Sequence, residues 1–445
     1  MSLPETSNNT TSQTRSHGLR AFAEKNGFHS KNQIIGFLTV VLSGQLIYSS
    51  FEAFKGAFYD LLLKVLGLNN AQLGVIFSLI GISIFFYLPG GWLNNRFSVK
   101  SLLIAGIAVR FVGVMVIIFM KPSFNILRII AISWGLVDSF FWPAVLHGVE
   151  LLTDKKHRGM AFGLLESIRR ALEMVMNLLI VGLMTLFGGI SVFKTGMLAY
   201  NLLLIPLVFF IIKYVPNNGI AAENTSEAEK SSDALKGLLH IFTLPKVWLA
   251  SISALTIYWN YVNLIYTVPY LQAVFHISQT QASIFGIFNT DAMGVIGGLV
   301  SGTLADYLFH SSSKMIFSAL IMTFLSLLAV LMIPKSKNYL WLSIVLLVVF
   351  AFSTFLAKSI IFAPIDEANV PKRYYGSAMS VGSFVGYAPI FWVYSMNGKI
   401  IDIDKPIAAY QHIFMIGAIV AAVGIVSSFI LMKMIDKSEK NDSKA

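Results

Sequence analysis

The chain has 445 residues, of which 56% are hydrophobic and 12% charged, and its net charge is +11; its mean hydropathy is +0.71. A water-soluble domain carries about 25% charged residues, so this chain lacks the charge to cover a water-facing surface, which excludes a soluble enzyme, a disordered chain and a nucleic-acid binder. Without cysteine it has no disulfide, thiolate nucleophile or iron–sulfur centre.

Residues 1–33 are rich in Ser, Thr and Asn and carry Arg15, Arg20, Lys25 and Lys31. No apolar core with a small-residue cleavage site precedes the first long apolar run, so no signal peptide is expected; 1–33 reads as a cytoplasmic tail, with room for a short amphipathic helix over 18–30. Apolar runs long enough to cross a bilayer, about 20 residues each, follow at 34–57, 71–93, 101–120, 127–150, 159–187 and 193–213. A polar stretch at 214–245, with Glu223, Glu227, Glu229, Lys230 and Asp233, reads as a cytoplasmic linker. The second set runs 246–273, 280–305, 314–334, 339–363, 376–398 and 407–433, and 434–445 is a second cytoplasmic tail. The stretches 71–95, 247–275 and 406–432 contain no Asp, Glu, Lys or Arg at all. Barrel strands would alternate over about ten residues; these runs are longer and uniformly apolar, and a lone segment in lipid satisfies its backbone only as a helix. The expected fold is an all-α membrane protein with twelve transmembrane helices, six in 34–213 and six in 246–433.

Basic residues set the expected orientation. Twenty lie in the tails and in the loops that share their side, among them Arg96, Lys100, Arg158, Lys213 and Lys314. The opposite loops hold seven: Lys64, Lys121, Lys194, Lys335, Lys337, Lys399 and Lys405. Both termini are therefore expected in the cytoplasm, and the net positive charge is a positive-inside signature. The sequons at Asn8, Asn9, Asn224 and Asn441 would then escape N-glycosylation.

The two sets repeat one another. Glu150, Lys155, Lys156, Gly159 and Ala161 recur as Glu367, Lys372, Arg373, Gly376 and Ala378, an offset of 217 (367 minus 150). Gly91, Leu93, Asn95 and Arg96 after the second run match Gly302, Leu304 and Asp306 after the eighth. A glycine there lets two helices approach closely. Internal repeats of this kind are common in transporters.

On these motifs the chain resembles the major facilitator superfamily over almost its whole length. The family's loop signature Gly-x-Leu-x-Asp-Arg-x-Gly-Arg-Lys survives as Gly91, Leu93, Asn95, Arg96 and Lys100, with Asn for Asp and no glycine after Arg96; the second copy keeps Gly302, Leu304 and Asp306 but has Tyr307 for the basic residue. The runs Gly163-Leu164-Leu165-Glu166 with Arg169, and Asp366-Glu367 with Pro371, are similar to a bacterial branch of undefined substrate. The resemblance implies two pseudo-symmetric six-helix bundles, a solute site between them and alternating access. It also implies gating roles for Gly91, Asn95, Arg96, Glu150, Arg158, Gly302, Asp306, Glu367 and Arg373, with a weakened latch in the first half.

Ionisable side chains within apolar runs are costly and tend to face a cavity or a partner. The fifth run carries Glu166, Arg169, Arg170, Glu173 and Asn177. At ~100° per residue these five share an arc of ~100°, and at ~1.5 Å per residue Glu166 and Glu173 lie ~10 and ~21 Å from Gly159. Arg169 and Arg170 could grip an anionic solute, since a guanidinium stays charged and chelates carboxylate or phosphate, with Glu166 or Glu173 as proton carrier. Equally, Glu166–Arg170 and Arg169–Glu173 could neutralise each other as i,i+4 pairs. In the first run Gln45, Tyr48, Glu52, Lys55 and Tyr59 follow helical spacing. Glu52 and Lys55 there suit a solute or proton site, or a plain ion pair near the outer interface. Asp138 in the fourth run, with Trp134 and Trp142 on its face, is a proton site or a partner for Arg110 or Arg169. Asp291 and Lys358 are isolated in sequence and could pair across the bundle. The seventh run offers Tyr258, Asn260, Tyr261 and Asn263, suited to hydrogen-bonding a polar organic solute. His147, one turn from Glu150, suits a hydrogen bond at the cytoplasmic end.

No Walker loop, metal-ligand cluster or nucleophile elbow occurs, so no cofactor, metal or enzymatic role is expected. The sequence points to a secondary active transporter of a small polar organic solute, organic anions included, with proton coupling, acting as a monomer in a bacterial inner membrane. The alternative is a non-transporting solute sensor on the same fold. Solute contacts are expected from Arg169, Arg170, Tyr48, Lys55, Tyr258, Asn260, Asn263 and Lys358, and proton coupling from Glu166, Glu173, Glu52, Asp138 and Asp291.

Overall fold

The computed structural model describes residues 28–154, 158–217, 241–371 and 375–442. Each of the twelve expected segments lies on helical backbone. In chain order the helices are α1 (Lys31–Ser49), α2 (Tyr59–Leu66), α3 (Asn70–Ile80), α4 (Tyr87–Arg96), α5 (Val99–Met120), α6 (Phe124–Leu151), α7 (Arg158–Phe187), α8 (Gly189–Leu202) and α9 (Leu204–Tyr214). The second half holds α10 (Pro245–Asn263), α11 (Thr267–Phe275), α12 (Gln279–Ile287), α13 (Met293–Thr303), α14 (Ser312–Met332), α15 (Leu340–Ser359), α16 (Ala363–Glu367), α17 (Tyr375–Tyr387), α18 (Val393–Ile403) and α19 (Pro406–Asp442). Among the described residues eight helices are long and apolar enough to cross a membrane, and a ninth arises if α2 and the 70–86 helix, bent by 100°, count as one span.

The helix starts follow from capping chemistry. Ser30, Ser98 and Ser311 accept a hydrogen bond from the backbone N–H three residues on, and Asn69 with Gln72 and Ser278 with Gln281 form reciprocal capping boxes. These satisfy N–H groups that a helix N-terminus leaves unpaired. Gly67 ends α2 in the left-handed region at φ 64°, where a residue without a Cβ is unstrained.

The departures from the expected segments are breaks in continuity. The first segment, expected unbroken over 34–57, stops as an α-helix at Ser49 and resumes as one 3₁₀ turn at Glu52–Phe54. Ser49 Oγ donates to the Gln45 carbonyl at 3.0 Å, a side-chain bond that competes with the helical ladder and bends it. A 3₁₀ stretch joins α3 to α4 at Gly81–Phe86, and another containing Pro389 joins α17 to α18. The eighth segment is continuous but carries π turns at Phe288–Ala292 and Leu304–Phe309.

Within the first half, α5 and α3 pack on α6, and α9 packs on α1; within the second, α14 and α10 pack on α19, and α13 and α14 on α15. The halves meet along two seams, α3 against α18 and α7 against α12. Glycine permits the first seam: a Cβ on Gly74 would strike the Tyr394 carbonyl, and one on Gly398 the Asn70 carbonyl. Across it Ser78 and Ser395 hydroxyls lie 2.9 Å apart, and the Asp402 carboxylate accepts from Asn70 N–H (3.2 Å), Asn70 Nδ2 (2.8 Å) and Ala71 N–H (2.7 Å). Among the described residues, the hydrogen bonds joining the halves all lie between mid-bundle and the end bearing the 67–69 and 403–405 turns. At the other end, which bears α1's start and α19's finish, Trp92 and Phe384 stand about half exposed. The bundle is closed at the first end and open at the second.

Candidate functional site

Polar side chains from six segments converge where the two seams meet the open end. The space between them, about 290 Å³, is bordered by Tyr48, Glu52, Lys55, Asp138, Arg169, Arg170, Glu173, Tyr258, Tyr261 and Tyr394. A deeper pocket of about 40 Å³, room for water only, shares Glu52, Lys55, Arg170, Glu173, Tyr261 and Tyr394 with it and reaches Thr290 and Asp291. The larger space stands at the lower end of the range, about 300–1,000 Å³, that holds small organic ligands.

On α7, Arg169 Nη1 donates to Glu166 at 3.0 Å and Arg170 Nη1 to Glu173 at 3.1 Å. The pairs are therefore i,i+3, correcting the expected i,i+4 pairing of Glu166 with Arg170 and of Arg169 with Glu173. Arg169 is drawn aside because its Nε donates to the Gly44 carbonyl (3.0 Å) and its guanidinium lies 4.4 Å from the Trp142 ring centre. The Glu166 side chain is 53% exposed, in the open mouth, against 14% for Glu173.

The most buried charge is Arg110 on α5, 1% exposed. Its Nη2 donates to both Asp138 oxygens at 2.8 Å, and its Nη1 donates to Glu52. The guanidinium lies 4.7 Å from the Trp134 ring and 5.3 Å from Tyr48. Glu52 thus does not pair with Lys55, correcting that expectation: the 3₁₀ turn directs the two side chains to different neighbours. Lys55 Nζ instead donates to the Tyr394 hydroxyl at 3.2 Å. Nor do Asp291 and Lys358 pair. Asp291 Oδ2 accepts from Asn177 Nδ2 on α7 at 3.0 Å, and Lys358 Nζ lies 4.4 Å from the Tyr261 ring. Lys55 and Arg170 border the same pocket as Tyr261.

Three expected solute contacts, Asn260, Asn263 and Lys358, are not among the residues that border either space. Asn260 Nδ2 donates to the Thr256 and Gly417 carbonyls at 3.2 Å, and Asn263 Oδ1 accepts from Asn397 Nδ2 at 2.8 Å; both asparagines are within 1% of full burial and bind helices rather than open space. Tyr59, in register with the first segment's polar face, packs its ring on Tyr266 at 5.7 Å and closes the far end. Asp138 pairs with Arg110, one of the two partners the sequence offered it; Arg110's second partner, Glu52, and the part played by Tyr394 escaped sequence reading. Tyr394 carries no signal, being one aromatic among many.

Of the gating positions, Glu367 caps the start of α14, accepting from Ser311 Oγ and Ser313 N–H at 3.0 Å and from Ser312 N–H. Arg96 is exposed over the Trp92 ring at 4.6 Å, Glu150 is half-buried near the end of α6, and a Cβ on Gly302 would meet open space. Arg373 lies outside the described residues, as do the surroundings of Gly91 and the side chains of Asn95, Arg158 and Asp306.

The sequence matches the Major Facilitator Superfamily profile over residues 40–394. It is 28% identical over 412 residues to the inner membrane protein YihN of Escherichia coli (strain K12), covering 91% of this chain and 96% of that one. It is 22% identical over 389 residues to the inner membrane protein YqcE of the same organism, covering 86% and 91%. In fold it is similar to the nucleoside transporter NupG, with TM-score 0.66, 15% identity and coverage of 91% and 99%. It is likewise similar to a bacterial homologue of the human lysosomal transporter Spinster in an inward-facing, unoccupied conformation, with TM-score 0.67, 13% identity and coverage of 91% and 99%. Two helical halves around a polar cavity open at one end, together with a profile match over most of the chain, make this protein a member of the Major Facilitator Superfamily, built as a membrane transporter.

Proposed function

We propose that the chain is a proton-coupled secondary transporter that moves a small polar organic anion across a bacterial inner membrane, with both termini cytoplasmic and the cavity open to the cytoplasm in this state. One observation carries the anionic character. Lys55 from the first half borders the cavity with Tyr261 and donates to Tyr394, Lys358 from the second lies 4.4 Å from the Tyr261 ring centre, and among the described residues no carboxylate reaches ion-pair distance of either. The remaining cations there are paired: Arg110 with Glu52 and Asp138, Arg169 with Glu166, Arg170 with Glu173. Cations held against phenols, where desolvation is paid without a counter-charge, favour an anion arriving from solution. Tyr258, Tyr261 and Tyr394 supply flat walls and hydroxyls for the organic part of such a solute.

A bound anion bridging Lys55 and Lys358 would also draw the halves together, which is the differential contact that alternating access requires. The test is a thermal-shift screen of purified protein against organic acids, phosphorylated sugars, neutral sugars, amino acids and cationic drugs, run on wild type, Lys55→Met and Lys358→Met. A ligand at a hundred times its Kd stabilises by about 2.7 kcal/mol. An anion is expected to raise the wild-type Tm and to lose that effect in both variants. Stabilisation of all three proteins by neutral or cationic solutes overturns the anionic reading.

A further inference from the structure

Asp291 is only 3% exposed and sits in the π turn Phe288–Ala292, a helix irregularity that recurs at functional sites. It lies at the seam between the halves. Around it α12 and the first segment are nearly touching: a Cβ on Gly286 would lie 2.7 Å from the Gly56 carbonyl oxygen, and one on Gly56 2.9 Å from Thr290 Oγ1. Among the described residues no cation reaches ion-pair distance of its carboxyl. Its two oxygens have one neighbour each that can be counted. Oδ2 faces Asn177 Nδ2 at 3.0 Å, and that amide nitrogen also faces the Ala53 carbonyl at 3.5 Å, so the NH₂ end points at two acceptors. Oδ1 lies 3.2 Å from Thr290 Oγ1. A hydroxyl has one hydrogen, and Thr290 Oγ1 stands within donating reach of two acceptors, Oδ1 at 3.2 Å and the Gly286 carbonyl at 2.7 Å, of which the shorter bond takes it. The Thr290 oxygen therefore offers Oδ1 only lone pairs.

From this hydrogen count we infer that Asp291 is a proton-binding site: its Oδ1 carries a hydrogen donated to Thr290 Oγ1, its Oδ2 accepts from Asn177, and the protonated carboxyl clasps the two halves at their α7–α12 seam. The inference rests on the reading of the chain as proton-coupled and names the group that does the coupling. An ionised Asp291 would set lone pairs against lone pairs at Thr290 and leave a buried charge with a single neutral donor, which is costly. The step is a plain proton transfer: hydronium gives its proton to the carboxylate while the seam is parted and wet, and cavity water takes it from Oδ1 later. Because the state closed at the 67–69 end buries this carboxyl, where the ionised form is costly, protonation favours that state, and by linkage that state favours protonation. The charged and titratable groups facing Asp291 are Glu173 and Arg170 from α7, Glu52 and Lys55 from the first segment, Tyr261 from α10 and Tyr394 from α18; α15 presents Phe355 there, with Lys358 one turn further along. Glu173 and Arg170 are paired with each other, so their fields at Asp291 largely oppose one another.

The test needs no solute. The chain lacks cysteine, so Lys64→Cys and Lys337→Cys, both exposed at the closed end and one in each half, carry spin labels cleanly, and electron–electron double resonance reads their separation from acidic to alkaline buffer. Wild type is expected to give the short separation at acidic pH and to lengthen as pH rises. Asp291→Asn, which keeps the shape and cannot ionise, is expected to remain short throughout. Thr290→Val keeps the shape and removes the acceptor, so the closed state binds the proton less tightly and the midpoint moves about half to one pH unit lower. A wild-type separation indifferent to pH, an Asp291→Asn protein that still opens on alkalinisation, or an unmoved midpoint in Thr290→Val would each overturn the assignment. Anion-induced thermal stabilisation, measured on the same proteins, reports separately on the solute reading, so failure of one is distinguishable from failure of the other.

Discussion

Arg110 illustrates how a buried charge is tolerated. Its guanidinium is shared between Asp138 and Glu52 and lies over Trp134 and Tyr48, so its planar fork meets two carboxylates and two ring faces at once. Removing it would leave two carboxylates in the bundle interior with no counter-charge, a loss that breaking a buried pair typically puts at about 3–5 kcal/mol. Arg110→Met should lower unfolding stability by that amount, read as the denaturant midpoint in detergent. Adding Glu52→Gln and Asp138→Asn should recover more than half of it. If the single variant is as stable as wild type, the triad contributes nothing to the fold. Lys55 and Lys358 differ from Arg110 in having phenols where it has carboxylates, and the proposed anion site rests on that contrast.

At the scale of elements, the α3–α18 seam decides which end is closed. It is made of small residues because only glycine lets one helix's backbone reach the other's carbonyls, at Gly74 and Gly398. Asp402, at the end of α18, takes the first two N–H groups of α3, which a helix N-terminus leaves unpaired and positively polarised. Gly398→Leu should therefore oppose the closed end by about 1–3 kcal/mol of overpacking. The check is the labelling rate of a cysteine introduced at Ser395 by a membrane-impermeant thiol reagent. It should rise at least about fivefold in the Gly398→Leu background, given that 1.4 kcal/mol is a tenfold change in population; an unchanged rate would mean that the seam does not set the conformation. The break at Pro389 is legible, because a proline lacks the N–H that a continuing helix needs. The break after Ser49 is not, because Ser49 bonding back to the Gln45 carbonyl is a local competition that hydropathy does not register.

For the whole molecule, two helical halves closed at one end and open at the other constitute one of the states that alternating access needs. The seam offers a direct check on it. Ser78 and Ser395 hydroxyls lie 2.9 Å apart, so Ser78→Cys with Ser395→Cys should form a disulfide under mild oxidation, seen as a joined peptide pair by mass spectrometry. With that bond in place the labels at 64 and 337 should stay at the short separation at every pH, and reduction should restore opening. Failure of the pair to oxidise would show that the halves do not rest together there.

The amino-acid sequence by itself determined the helical segments, their division into two repeating halves and the polar stripe of Glu166, Arg169, Arg170 and Glu173. These are properties of one run of residues: apolar length, local backbone hydrogen bonding and the ~100° advance per residue. It placed the charges in the membrane but not their partners. Glu52 and Lys55, adjacent on the first segment, are held by Arg110 and Tyr394, and Lys55 and Tyr394 are 339 positions apart. Asn177 and Asp291 are 114 apart. Partner choice of that kind depends on how the halves dock, and docking is decided by glycine contacts and the breaks that redirect side chains. Only the tertiary structure settles which charges neutralise one another and which remain to face the cavity.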